Sequence, residues 1–193
     1  HYLKDRIVPW NGAGKREFTD FLCSHIRKLI ASHGRTGVEG IRYISKNNLN
    51  IARLPLLRKL FPDARVVVPF REPLQHAASL LRQHVNFLKI QDQDKFAKEY
   101  MAAIGHYDFG ENLKPVDFDH WLDNHRSVDA QTLEFWLQYW IAAYKNILDS
   151  RDKHVFLMSY ESFCADPQAG FEKFAAAVQI RDIDKFLRQS HRI

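Results

Sequence analysis

Arg71 and Ser79 are the residues whose types and spacing most directly imply chemistry. Arg71 follows the run Arg65-Val-Val-Val-Pro-Phe70, and Ser79 comes eight residues later, in a segment that opens with Pro73. A continuous β-branched run marks a strand buried on both faces, and Pro73 occupies a first helical position. In an open α/β sheet, ligands bind outside the carboxyl ends of the strands, which is where Arg71 falls. Its planar fork matches two oxygens of a phosphate, and a helix-borne hydroxyl adds a third hydrogen bond. The same residue types also suit a purely structural role: Arg71 in a salt bridge with Glu72 or Asp63, and Ser79 packed on the helix. Residue types alone leave both readings open.

Other reactive side chains carry weaker signals. His76 and His84 lie on the same helical stretch, where a surface or capping histidine is the ordinary outcome. His106, His120 and His125 show no spacing typical of metal ligands, and Cys23 and Cys164 belong to no C-x-x-C pair, so no metal site is expected. Gly12-Ala-Gly-Lys15 has some likeness to a phosphate-binding loop. It lacks the opening Gly of that motif and continues with Arg16 instead of Ser or Thr. Trp136, Trp140 and Tyr144 recur every four residues and read as core, whereas Trp121 and Tyr107, beside a polar stretch, are candidates for stacking on an acceptor.

The elements that must position these groups alternate between strand and helix. Apolar periodicity predicts helices over about 17–33, 49–60, 73–90, 94–104, 129–150 and 182–188, with a further helix opened by Asp166-Pro167. Asp129 is the expected cap of the 129–150 helix. Strands are expected at Ile41–Ile44, Arg65–Phe70 and His154–Met158, with a turn between Gly34 and Gly40. The fold class is therefore α/β, with a short parallel sheet in a single domain over 1–193 and a helical insertion at about 92–150.

Composition agrees with a folded domain. At 46% apolar and 26% charged, the chain has ample surface to bury. The net charge of +5 is scattered and falls short of a nucleic-acid footprint, so no nucleic acid is expected as partner. No apolar run approaches the roughly 18–20 residues that span a bilayer, so no membrane association is expected either. The sparse, unclustered cysteines fit a reducing, cytoplasmic setting.

The stretch F-P-D-A-R-V-V-V-P-F-R-E-P-L-Q-H-A-A-S from Phe61 to Ser79 resembles the sulfotransferases that use 3′-phosphoadenosine 5′-phosphosulfate (PAPS), particularly the bacterial and carbohydrate-modifying branches. In that family a strand ends in Arg, and a Ser follows eight residues later on the next helix. Ser45-Lys-Asn-Asn48 is similar to the family's lysine-containing loop, and Ser159-Tyr-Glu-Ser-Phe163 before Asp166-Pro167 to its Y-E-D-L…D-P element. The resemblance covers about 41–90 and 154–178. It implies a P-loop-like three-layer α/β fold and sulfuryl transfer from PAPS, with adenosine 3′,5′-bisphosphate as product. The acceptor would be a hydroxyl or amine of a small molecule or carbohydrate, and no metal is required. Arg71 and Ser79 would hold the 3′-phosphate, Tyr160 would lie near the adenine, and Lys46 would act at the transfer site. Asn48 stands where cytosolic relatives carry a histidine base. It could orient an acceptor without deprotonating it, which leaves Glu17 as a counterpart of the Glu used in other branches.

The chain departs from the family in its first motif, the Lys-Ser/Thr-Gly-Thr-like loop for the 5′-phosphosulfate, which is not found. The expectation is an N-terminally incomplete domain that binds the 3′-phosphate side. The competing functions are a P-loop nucleoside-phosphate kinase using Gly12–Lys15 and a noncatalytic nucleotide- or partner-binding domain of the same fold.

Overall fold

The structure is a computed structural model that describes residues 2–9, 16–33, 41–124 and 128–190. Its elements in chain order are α1 (Arg16–His33), α2 (Leu54–Leu60), β1 (Val66–Phe70), α3 (Pro73–Gln93), α4 (Lys95–Ala103), α5 (Trp121–Asn124), α6 (Leu133–Asp149), β2 (Val155–Ser159), α7 (Tyr160–Ala165), α8 (Pro167–Val178) and α9 (Ile183–Ser190). A 3-10 turn over Asn48–Arg53 leads into α2, so the expected helix at 49–60 is present in two parts, with Pro55 in the first turn of the second. The expected turn at Gly34–Gly40 lies outside the described residues.

β1 and β2 pair in parallel, Val66 opposite Val155 through Phe70 opposite Ser159. Two parallel strands are marginal alone, and helices cover both faces. On one face Val68 and Val155 are buried with Leu54 of α2 and Ile147 of α6, and Val66, Leu157 and Tyr144 pack around them. Side chains alternate along a strand, so Phe156 lies on the other face. There Arg65 lies over its ring at 5.6 Å and donates to the carbonyl of Ala177 in α8 at 2.7 Å. Helix, sheet and helix therefore form three layers, in agreement with the α/β expectation. Pro69 is tolerated within β1 because each strand of this pair has one edge without a described neighbour.

The larger core lies between α3, α6 and the 105–122 stretch. Trp136, Phe118, Val116 and Ala77 are almost fully buried there, joined by Ile7 of the N-terminal segment. Ile7 bridges Val116, and its amide donates to the Pro115 carbonyl at 2.9 Å. Two expectations change here. Ile41–Ile44 forms no strand, because Arg42 instead donates to the carbonyls of Val178 and Gln179 at the end of α8, where a cation complements the helix dipole. Asp129 does not cap α6. Thr132 does, accepting from the Phe135 amide, while Asp129 accepts from the Gln131 amide just upstream. No helix among the described residues is long and apolar enough to cross a membrane.

Candidate functional site

Because Phe70 and Ser159 are register partners, the residues that follow them, Arg71 and Tyr160, leave the sheet side by side. The Arg71 guanidinium lies over the Tyr160 ring at 5.1 Å, a cation–π contact. Its Nη2 donates to Gln75 Oε1 at 2.9 Å, while its Nε is buried with no hydrogen-bond partner among the described residues. Neither salt bridge open to Arg71 on the sequence, to Glu72 or Asp63, is formed among the described residues. Glu72 is instead the N-cap of α3, its carboxylate accepting from the amides of Leu74 and Gln75 at 3.1 and 2.7 Å. The Glu72 amide donates to Glu161 Oε1 at 2.8 Å, which ties α7 to the β1–α3 turn. That amide, above all, holds the Glu161 carboxyl below its usual range, and Arg71 adds to the effect. Cys164 is the main influence raising the Tyr160 phenol.

Ser79 is half-buried on α3, and no side-chain hydrogen bond engages it among the described residues. Gln75 and His76 precede it by four and three residues, so both neighbour it on one helix face. The His76 Nδ1 is buried without a partner among the described residues, and burial first, Arg71 second, lowers the imidazole below its ordinary value. The sheet edge thus brings together Arg71, Tyr160, Gln75, His76 and Glu161, with Ser79 one turn further along the same helix. Gln75, His76 and Glu161 were not identified on the sequence as site residues. Of the three, His76 carried a signal on the sequence, its place near the anion end of the 73–90 helix.

Lys46, Asn48 and Glu17 are not drawn into this group. All three are exposed, and no hydrogen bond or ion pair joins them to it among the described residues. Lys46 and Asn48 flank Asn47, which caps the turn into α2 by accepting from the Leu49 amide at 2.8 Å, and Glu17 stands in the first turn of α1. Gly12–Lys15 and His125 lie outside the described residues.

Trp121, expected as a stacking platform, is buried instead. It stacks on Tyr139 with ring centroids 5.4 Å apart and planes within 8°, and its Nε1 donates to the Val116 carbonyl. Tyr107 is half-buried, with the Lys114 ammonium 4.7 Å over its ring. His84, expected as a surface or capping residue, is 4% exposed and accepts from the Gly110 amide at 3.1 Å. Asp117, His120 and Asp123 bring ligand-type atoms within 4.8 Å of one another, but Arg6 already supplies the cation there, 2.7 Å from Asp117 and 3.1 Å from Asp123.

No curated protein and no solved structure gives a significant match to the chain. The family model for the sulfotransferase family matches residues 8–184, running through 92–150 as well as the two motif segments. With an arginine at the sheet's carboxyl edge, a serine on the following helix and a family match over nearly its whole length, the chain belongs to the sulfotransferase family.

Proposed function

We propose that the chain transfers a sulfuryl group from PAPS to a hydroxyl or amine of a small-molecule or carbohydrate acceptor, and that Arg71 and Ser79 hold the 3′-phosphate of the donor. The observation that carries this is the state of Arg71. Its guanidinium stands at the carboxyl end of β1, oriented by Gln75 and Tyr160, with a buried Nε that no group among the described residues engages. Buried polar atoms without partners are uncommon, and a charged donor left over at a sheet edge fits an anion. Ser79, with a free hydroxyl one turn beyond Gln75, supplies a neutral donor on the same side.

When bound, PAPS supplies a sulfuryl group attached to a phosphate leaving group. The chain's contribution is positioning and charge. Arg71 and Ser79 fix the nucleotide by its 3′-phosphate, and the exposed Tyr160 ring offers an apolar face for adenine. In this reading Lys46 carries the positive charge for the transfer site, Asn48 orients the acceptor, and Glu17 is the candidate base. Charge complementarity at Arg71 does not depend on those three.

The test is calorimetric binding of adenosine 3′,5′-bisphosphate against adenosine 5′-monophosphate. The bisphosphate is expected to bind more tightly, and Arg71→Ala to remove that preference. A charge-assisted contact of about 1.5–3 kcal/mol corresponds to roughly 10- to 150-fold in Kd. Equal affinities for the two nucleotides, or an Arg71→Ala variant that keeps the preference, would remove Arg71 from the donor site.

A further inference from the structure

Two of the buried side-chain nitrogens without a hydrogen-bond partner among the described residues, Arg71 Nε and His76 Nδ1, belong to residues at the same sheet edge. Their proximity is also electrostatic, since Arg71 acts on the His76 ring. On α3, His76 stands three residues before Ser79, which puts the imidazole and the hydroxyl on adjacent turns of one face. The side-chain oxygens of Gln75, Glu72 and Glu161 at this edge are already engaged. Gln75 Oε1 accepts from Arg71, Glu72 from the Leu74 and Gln75 amides, and Glu161 from the Glu72 amide.

We infer that His76 is a third hydrogen-bond partner of the bound 3′-phosphate, alongside Arg71 and Ser79, and that it couples nucleotide binding to proton uptake. This rests on the reading of Arg71 as the 3′-phosphate ligand. The chemistry follows from the imidazole. As a neutral ring it presents one N–H to a phosphate oxygen, and with a proton added it becomes a cation with two donors. Burial and the neighbouring guanidinium keep it neutral in the free protein. A phosphate carries between one and two negative charges near pH 7, and placing it between Arg71 and His76 reverses the field at the ring. The remaining ionisable groups of this edge are Glu72 at the turn and Tyr160, Glu161 and Cys164 on α7. Gln75 and Ser79, the neighbours on α3 itself, are neutral. Binding should therefore take up protons through His76.

The experiment is titration calorimetry with adenosine 3′,5′-bisphosphate at pH 7 in two buffers of different ionisation enthalpy, on the wild-type chain and the His76→Gln, His76→Ala and Arg71→Ala variants. His76→Ala should weaken binding about three- to tenfold, the loss of one hydrogen bond. His76→Gln, which restores a neutral donor, should recover most of that affinity while losing the proton uptake seen in the wild type. A merely structural histidine would not move the proton count. Uptake that persists unchanged in His76→Gln, or His76→Ala binding as tightly as wild type, overturns the assignment of His76 while leaving Arg71-dependent binding intact. Bisphosphate binding that is indifferent to Arg71→Ala overturns the underlying 3′-phosphate reading as well, so the two failures are distinguishable.

Discussion

Gly105 and Gly110 share one backbone angle, φ +71°, and differ in their surroundings. A Cβ at Gly105 would meet nothing within 4 Å. At Gly110 it would lie 2.2 Å from Gln91 Oε1 and 2.8 Å from Cδ. Gln91 cannot swing away freely, because it is 3% exposed and its Oε1 accepts from the Glu111 amide at 2.7 Å. Alanine at either position incurs the left-handed backbone strain, about 1 kcal/mol. At Gly110 it must also displace the Gln91 amide and orphan a part-buried N–H, which adds about 1–3 kcal/mol. Gly105→Ala should therefore cost about 1 kcal/mol and Gly110→Ala about 2–4 kcal/mol, read as a lower urea midpoint at unchanged m. In a Gln91→Ala background the gap between the two should close, since the collision then has no partner. Equal losses for the two single variants would refute the clamp that fastens the 105–113 stretch to α3, the helix that carries Ser79.

Two further outcomes follow from the same core. His84 is held neutral, its ring lowered by burial first, and its unprotonated Nδ1 accepts from Gly110. The unfolded state binds the extra proton, so the stabilisation is complete above the ordinary pKa of about 6.5 and is lost as pH falls below it, a slope in acid denaturation that His84→Gln should flatten. Arg6→Ala should leave the Asp117 carboxylate, whose side chain is 2% exposed, without its cation and lower stability by about 3–5 kcal/mol in the same urea measurement. A loss under 1 kcal/mol would show that Asp117 is satisfied by the Leu122 amide and His120 without Arg6.

Sequence reasoning located β1, β2, α3 and α8 because their signals are local. A buried parallel strand is continuously apolar, and Pro73 and Asp166-Pro167 set helix starts through fixed backbone geometry. It misplaced Trp121 because its sequence neighbours Asp119, His120, Asp123 and Asn124 are polar, while the burial comes from Phe135 and Tyr139 of α6, a contact with no trace in local pattern. Ile41–Ile44 failed for a related reason: β propensity needs a pairing edge, and Arg42 is instead held by the carbonyls at the end of α8. At the site, the Arg71–Ser79 spacing was visible along the chain. The roles of Glu161 and His76 were not. Glu161 reaches the β1–α3 turn because β2 is β1's register partner, and the state of His76 depends on its burial beside Arg71.

In the proposed 3′-phosphate reading, the start of α3 explains why anion binding would fall on side chains. A helix N-terminus ordinarily offers free amides to an anion. Here Pro73 has no N–H, the Leu74 and Gln75 amides are taken by the Glu72 carboxylate, and the Glu72 amide is taken by Glu161. The backbone donors that would cradle a phosphate are thus already neutralised by two carboxylates of the chain itself. Any anion arriving at this edge meets Glu72 and Glu161 as repulsive neighbours, and Arg71, whose charge acts on both Glu161 and His76, supplies the compensating field. Replacing Arg71 by a neutral residue would therefore leave an edge that repels phosphate, with no backbone site to fall back on.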